Sequence, residues 1–537
     1  MHSRILLALL FTALLLSAAP ARTPAQSTVG EVAFANSGAP AAQANFLRGL
    51  ALLHNFEYED AAAAFRQAQE QDPNFAMAYW GEAMTRNHAL WAEQDLAAAR
   101  ADLGRLGPTP EARRAKAGTE REKEYLRGAE ILFGEGSKHE RDLRYADFMA
   151  TLHGKYPDDP ETTCFYALAL LGSPENGRDI PTYMRAAALL EEVFHAHPNH
   201  PGAAHYLIHS FDDPVHAPLG LAAARAYSRI APEAGHAQHM TSHIFLALGM
   251  WEDVVRANEQ AMAVVNRRRA AGGKSPSFCG HYNIWLQYAY LQEGRFAEAR
   301  RLLGACQEQS AKASGDAHPQ GAVDLDTTLA GSVAQMRAQY LVVSKDWNGE
   351  EAQWHPAAGK PSIARVVMLY ASALAAIRRN DTESAEQSTK EEEAAAAGLG
   401  SVYDAKGYSA GHPDRALPGV MTGQLRALLL AQQGKNEQAA ALLEKISREE
   451  LSLPYEFGPP VVAAPSSELL GELYLSLKRP ADARRAFETS LARQPQRLPS
   501  LEGLARAEEM GGDRDAAERT RAALRGMLLH ADKPEKQ

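Results

Sequence analysis

The chain has 537 residues, 45% of them hydrophobic and 23% charged, with 40 Gly, 29 Pro and a formal net charge of −10. This is ordinary globular composition with enough chain for a large core, and the acidic balance excludes non-specific nucleic-acid binding. Three cysteines, Cys164, Cys279 and Cys306, are too few for a disulfide scaffold, and the odd number leaves at least one without an intrachain partner.

At the N-terminus, Arg4 is followed by the apolar run ILLALLFTALLLS and the small-residue end Ala19-Pro20-Ala21. The pattern predicts a secretory signal over 1–21, too short to span a bilayer. No later segment is apolar for long enough to cross a membrane, so a periplasmic or secreted protein is expected, with 22–41 as a flexible mature N-terminus. Helix-forming residues dominate from there to 531, and 532–537 reads as a polar tail. FRQAQEQDP at 65–73 carries Phe65, Ala68 and Pro73 in helical register. PNHPGAAHYLIH (198–209) and PEAGHAQHMTSH (232–243) superimpose with Pro198 over Pro232, His205 over His239 and His209 over His243, each 34 residues apart. The stretch 264–279 reads as an insertion with a basic turn, and TKEEEAAAA (389–397) as a solvated helix end. LPYEFGPPVV at 453–462 predicts an ordered loop folding over a surface.

The clearest unit is GHYNIWLQYAYLQEGRFAEARRLLGACQEQSAKA (280–313): a periodic helix, a turn at Gly294, and a second helix carrying Ala299. It resembles the tetratricopeptide repeat (TPR). ELLGELYLSLKRPADARRAFETSLARQP at 468–495 fits equally, with Leu470, Gly471, Tyr474, Ala483, Phe487 and Pro495 in place. About eleven such units fit between 42 and 531. The chain is similar to exported bacterial TPR proteins. The resemblance implies an all-α, TPR-like α-solenoid of antiparallel helix pairs in a right-handed superhelix, in three blocks: 42–157, a His-rich 158–313, and 314–531.

In that repeat the second, fifth and ninth residues of each unit line the concave groove. With units beginning at Pro201 and Gly235, His205, His209, His239 and His243 converge on one wall, joined by His236 and His281. Cys164 stands where His205 does in the following unit. Trp80 and Met84 are expected on the groove face of an early unit, Glu82 on the packed side needing a partner, and Tyr288 beside His281. The resemblance also brings Cys279 close to Cys306, for a possible disulfide, leaving Cys164 as a buried thiol or a soft ligand.

Nine of the 19 histidines fall between His195 and His243. Imidazoles four residues apart on a helix share a face and suit Zn²⁺ or Cu²⁺. Asp212, Asp213 and Glu161 are candidate oxygen ligands or ring-orienting partners. Three readings follow: a scaffold with a histidine-lined divalent metal site, a scaffold without metal binding a peptide or envelope protein in its groove, and a metal-dependent hydrolase with Asp213 or Glu161 as base. No HExxH, G-x-S-x-G or dinucleotide fingerprint is present, so no enzyme class is assigned.

Overall fold

Helix starts are written into the chain at short polar side chains. Thr119 with Glu122, and Ser137 with Glu140, form capping boxes, and Asp159 caps the next helix through its carboxylate. The computed structural model describes residues 28–313, 325, 328–356 and 359–533. The expected signal, 1–21, and positions 534–537 of the expected tail lie outside the described residues. Among those described, 25 α-helices follow one another, and the only strands pair Asn87 with Gln94 and His88 with Glu93. Apart from the short Pro110–Arg114 and Glu350–Gln353, and from Leu329–Ser344, which packs on Ile363–Arg378, the helices group as consecutive pairs, giving an all-α, TPR-like solenoid. None of them is long and apolar enough to cross a membrane.

The pairs interlock large against small. Gly471 and Gly503 both face the Phe487 ring, where a Cβ would lie 2.8 and 2.3 Å from its atoms. Gly81 faces Phe65 in the same way. Any side chain there would force helices apart, which fixes the spacing of these units.

Both ends of the solenoid return to its middle. The Glu31 N–H donates to the Asn199 carbonyl (3.0 Å), Asn55 bridges Val29 and Tyr227, and Glu57 pairs with Arg268. From the other end, the Leu498 N–H donates to Gln292, and Trp251 Nε1 donates to the Gln496 carbonyl. Much of the inner face of the central repeats is therefore covered.

Several expectations change for that reason. The described part of the stretch expected to be flexible, 28–41, is packed: Phe34 lies among Phe46, Trp80 and Tyr125, with the Arg121 guanidinium 4.1 Å above its ring. Trp80 (1% exposed) and Met84 are core residues rather than groove wall. Tyr288 is likewise buried; its hydroxyl accepts from Arg497 (3.0 Å), which ties it to the C-terminal repeats rather than to His281. The helix Trp251–Ala271 absorbs half of the expected 264–279 insertion. Positions 389–397 sit inside the helix Thr382–Ala405, where burial pushes the Glu392 carboxyl up to about 7. Glu82 is buried as expected and paired with Arg66 and Arg105. Cys279 and Cys306 are joined in a disulfide (Cα–Cα 4.9 Å), and Cys164 is a buried free thiol.

Candidate metal centre

Three first helices stand side by side: Pro201–Phe211, Gly235–Ala247 and His281–Gln292. The i,i+4 spacing puts His205 above His209 and His239 above His243. His236 and His281 enter from the first turns of the second and third helices. Gly280, at φ 95°, makes the turn that presents His281, and the disulfide at Cys279 anchors that turn to the helix Phe296–Lys312.

The six rings form two triads. In the first, His205 Nε2 lies 3.1 Å from His209 Nε2 and 3.2 Å from His236 Nε2. In the second, His239 Nε2 lies 3.1 Å from His243 Nε2, with His281 completing the group. Within each triad one nitrogen per ring lies within 4.8 Å of the others. The triads adjoin: the His209 and His243 ring centroids are 5.7 Å apart. Five of the rings are buried and His281 is partly exposed.

The far side of these rings decides their chemistry. Asn258 donates its amide to the Val254 carbonyl (2.9 Å), so its oxygen faces His239 Nδ1 at 2.7 Å and accepts from it. His243 Nδ1 donates to the Asp212 carboxylate at 2.5 Å. His205 Nδ1 donates to the His54 carbonyl at 2.6 Å. Each ring with its proton on Nδ1 carries a lone pair on Nε2. Burial, reinforced by neighbouring imidazoles, holds His205, His209, His236 and His239 well below the ordinary imidazole range; burial also lowers His243, against the pull of Asp212. These five rings are neutral at pH 7. His239 and His243 thus direct two lone pairs at each other across 3.1 Å, an arrangement no hydrogen bond satisfies. Two nitrogens on one tetrahedral ion, at bonds of about 2.0–2.1 Å, sit about 3.3 Å apart. The donor set and its spacing fit a transition-metal ion in each triad.

Aromatic residues seal the pair. Phe56, in the left-handed region at φ 55°, turns its ring to 4.3 Å from His205 and 5.6 Å from His236. Phe457, in the 453–462 loop, covers His209 and His243 at 6.2 and 5.3 Å. That loop does fold over a surface, and the surface is this one. Tyr282 stacks on His239 and bonds His236 Nδ1 at 3.3 Å.

The remaining predicted residues lie outside the triads. Cys164 Sγ is 3.8 Å from His200 Nδ1 and faces none of the six rings. Glu161 accepts from His54 Nε2 (2.7 Å) and His200 Nε2 (3.1 Å). Asp213 holds Arg178 and His216. Both proposed bases are thereby engaged away from the metal face. His54, Phe56, Asn258, Tyr282 and Phe457 escape sequence reading. They come from the end of the helix Gln43–His54 and the turn after it, from the helices Trp251–Ala271 and His281–Gln292, and from the 453–462 loop, with no shared periodic signal; the aromatic content of that loop was the one cue.

No family model and no curated protein matches the sequence. Solved structures give loose matches to helical-repeat proteins. The human IFIT1 dimer with m7Gppp-AAAA aligns over 93% of this chain and 92% of its own at 16% identity and a TM-score of 0.33. Yeast Tom70 aligns over 87% and 88% at 12% identity and 0.31. The APC/C hetero-tetramer Cut9–Hcn1 aligns over 88% and 78% at 12% identity and 0.34. At such scores these likenesses say nothing about ligands, and the solenoid rests on the helix pairs described above.

Proposed function

We propose that this chain is an exported bacterial TPR-type scaffold that binds two transition-metal ions, zinc or copper, one in each histidine triad. The observation that carries this reading is the 3.1 Å approach of His239 Nε2 to His243 Nε2 while both Nδ1 atoms donate elsewhere. Left without a cation, facing lone pairs repel in a buried, low-dielectric setting. Asp212, Asn258 and the His54 carbonyl orient the rings as outer partners of metal-bound histidines do. Export is favoured by the signal-like N-terminus and by a disulfide that suits an oxidising compartment. A peptide or envelope protein in the groove is less well supported, because Phe56, Phe457 and the chain ends fill the inner face beside the histidines. A hydrolase based on Asp213 or Glu161 is disfavoured by their engagement with Arg178, His216, His54 and His200.

The test is elemental analysis of protein purified from metal-replete medium, beside a His205→Ala/His239→Ala variant. The expected result is two ions per chain, lost in the variant with the helical circular-dichroism signal retained. Metal-free wild type that also fails to take up zinc or copper on titration would overturn the reading.

A further inference from the structure

The paired triads are closed on most sides but open on one. A surface cleft of about 290 Å³ is lined by His236, His281, Trp91, Met262, Val265 and Tyr282, with the disulfide loop at its edge. It reaches one histidine of each triad, so an occupant would meet both ions at once. Apart from the two histidines no ionisable Asp, Glu, Lys or Arg side chain lines it, and its walls are aromatic or aliphatic with a few small polar groups. Such a cleft selects a small, uncharged, flat molecule.

The donor set narrows the metal. The six converging groups are all imidazoles; the Asp212 carboxylate lies close to His209 and His243, with one oxygen engaged by His243 Nδ1. Among divalent ions, an all-nitrogen site of this kind holds Cu²⁺ more tightly than Zn²⁺. Imidazole nitrogen suits copper in either oxidation state, and two adjacent one-electron ions together match a two-electron donor.

Resting on the two-ion reading, we infer that the ions are copper and that the cleft admits an uncharged ortho-diphenol, which is oxidised there by dioxygen. The balance closes without another reductant. Two diphenols each lose two electrons and two protons as their O–H bonds break and C=O bonds form. One dioxygen takes up the four electrons and four protons, its O–O bond breaks, and two waters result. On the protein side, His236 and His281 hold the ions at the cleft floor, Tyr282 orients His236, and Trp91 and Met262 offer the faces against which a ring packs.

Three measurements on the full chain decide it, with catechol as the probe. Zinc and copper are first loaded separately and in competition, with metal content and paramagnetic resonance as readouts. Oxygen uptake and quinone absorbance then follow catechol addition to the copper form. The same assay on Val265→Trp, which fills the cleft, completes the set. Expected are displacement of zinc by copper, a resonance signal much weaker than the copper content because adjacent cupric ions couple, one dioxygen consumed per two catechols, and a roughly ten-fold or larger loss of turnover efficiency in Val265→Trp with copper retained. If copper fails to displace zinc, or the copper form takes up no oxygen with catechol, this inference falls while the two-ion reading stands. If neither metal binds, both fall. Undiminished oxidation by copper-loaded Val265→Trp would overturn the cleft as the entry.

Discussion

Two histidine clusters lie back to back in this protein, and they have solved burial in opposite ways. In the first, Glu161 sits between His54 and His200. The Ala203 N–H donates to His200 Nδ1, which fixes the ring proton on Nε2, where it donates to Glu161; Tyr206 bonds His54 Nδ1 at 3.0 Å and leaves the other His54 nitrogen for the same carboxylate. Each ring nitrogen has a partner. Burial opposes ionisation of Glu161, but the two flanking imidazoles hold its carboxyl well below the usual range. In the second cluster His205, His239 and His243 point their Nε2 lone pairs inward, and those of His239 and His243 face each other. The same residue type is thus a saturated strut in one place and a set of ligands in the other, and the difference is which side the acceptors stand on. The clusters touch at one bond, His205 Nδ1 to the His54 carbonyl. Although His54, Glu161 and His200 also lie close enough to hold an ion, their nitrogens are committed to protein partners.

This contrast can be broken by substitution. Glu161→Gln replaces one of the two acceptor oxygens with an N–H₂ donor facing a buried ring N–H and is expected to lower unfolding free energy by about 3 kcal/mol, read by urea denaturation, with two metal ions still bound at saturation. Loss of metal without loss of stability would erase the distinction between the clusters. Asp212→Asn should do the reverse: metal affinity of the second triad weakened by about 10–100-fold, seen in competition with a chelator, and a smaller stability change in the metal-free protein than Glu161→Gln gives. A subtler test uses pH. The buried triad imidazoles have folded-state pKa values below that of the unfolded chain, about 6.5, so the unfolded state takes up protons first as pH falls. The stability they contribute is complete above that value and declines below it. The metal-free protein should therefore show a lower urea midpoint at about pH 5 than at about pH 7.5, and added zinc at the higher pH should raise it. A midpoint that rises on acidification would mean the rings are held protonated, and the facing lone pairs would vanish.

Much of the architecture was legible in order along the chain. The 34-residue offset between Pro198 and Pro232, the Gly471–Phe487 pairing and the helix caps are local signals, and helical hairpins depend on local signals. The four central histidines were legible for the same reason, since i,i+4 spacing commits two rings to one face. What could not be read was how that face would be covered. Trp80, Met84 and Tyr288 hold groove positions by register, yet all three are buried, Trp80 against Phe34 and Tyr288 against Arg497, which arrive from remote parts of the chain. Cys164 shares its register with His205 but meets His200 instead of the triads.

The sequence by itself determined helix after helix, the large–small interlock of neighbouring units, and the two histidine pairs on corresponding turns. All of these follow from periodicities shorter than one hairpin. Only the tertiary structure decided that the six named rings would divide into two triads, that Asn258, Asp212 and a backbone carbonyl would aim lone pairs inward, and that Phe56 and Phe457 would enclose them. Those contacts join residues far apart in the chain, and their geometry depends on how tightly the solenoid winds, a small rotation per unit that accumulates over many repeats.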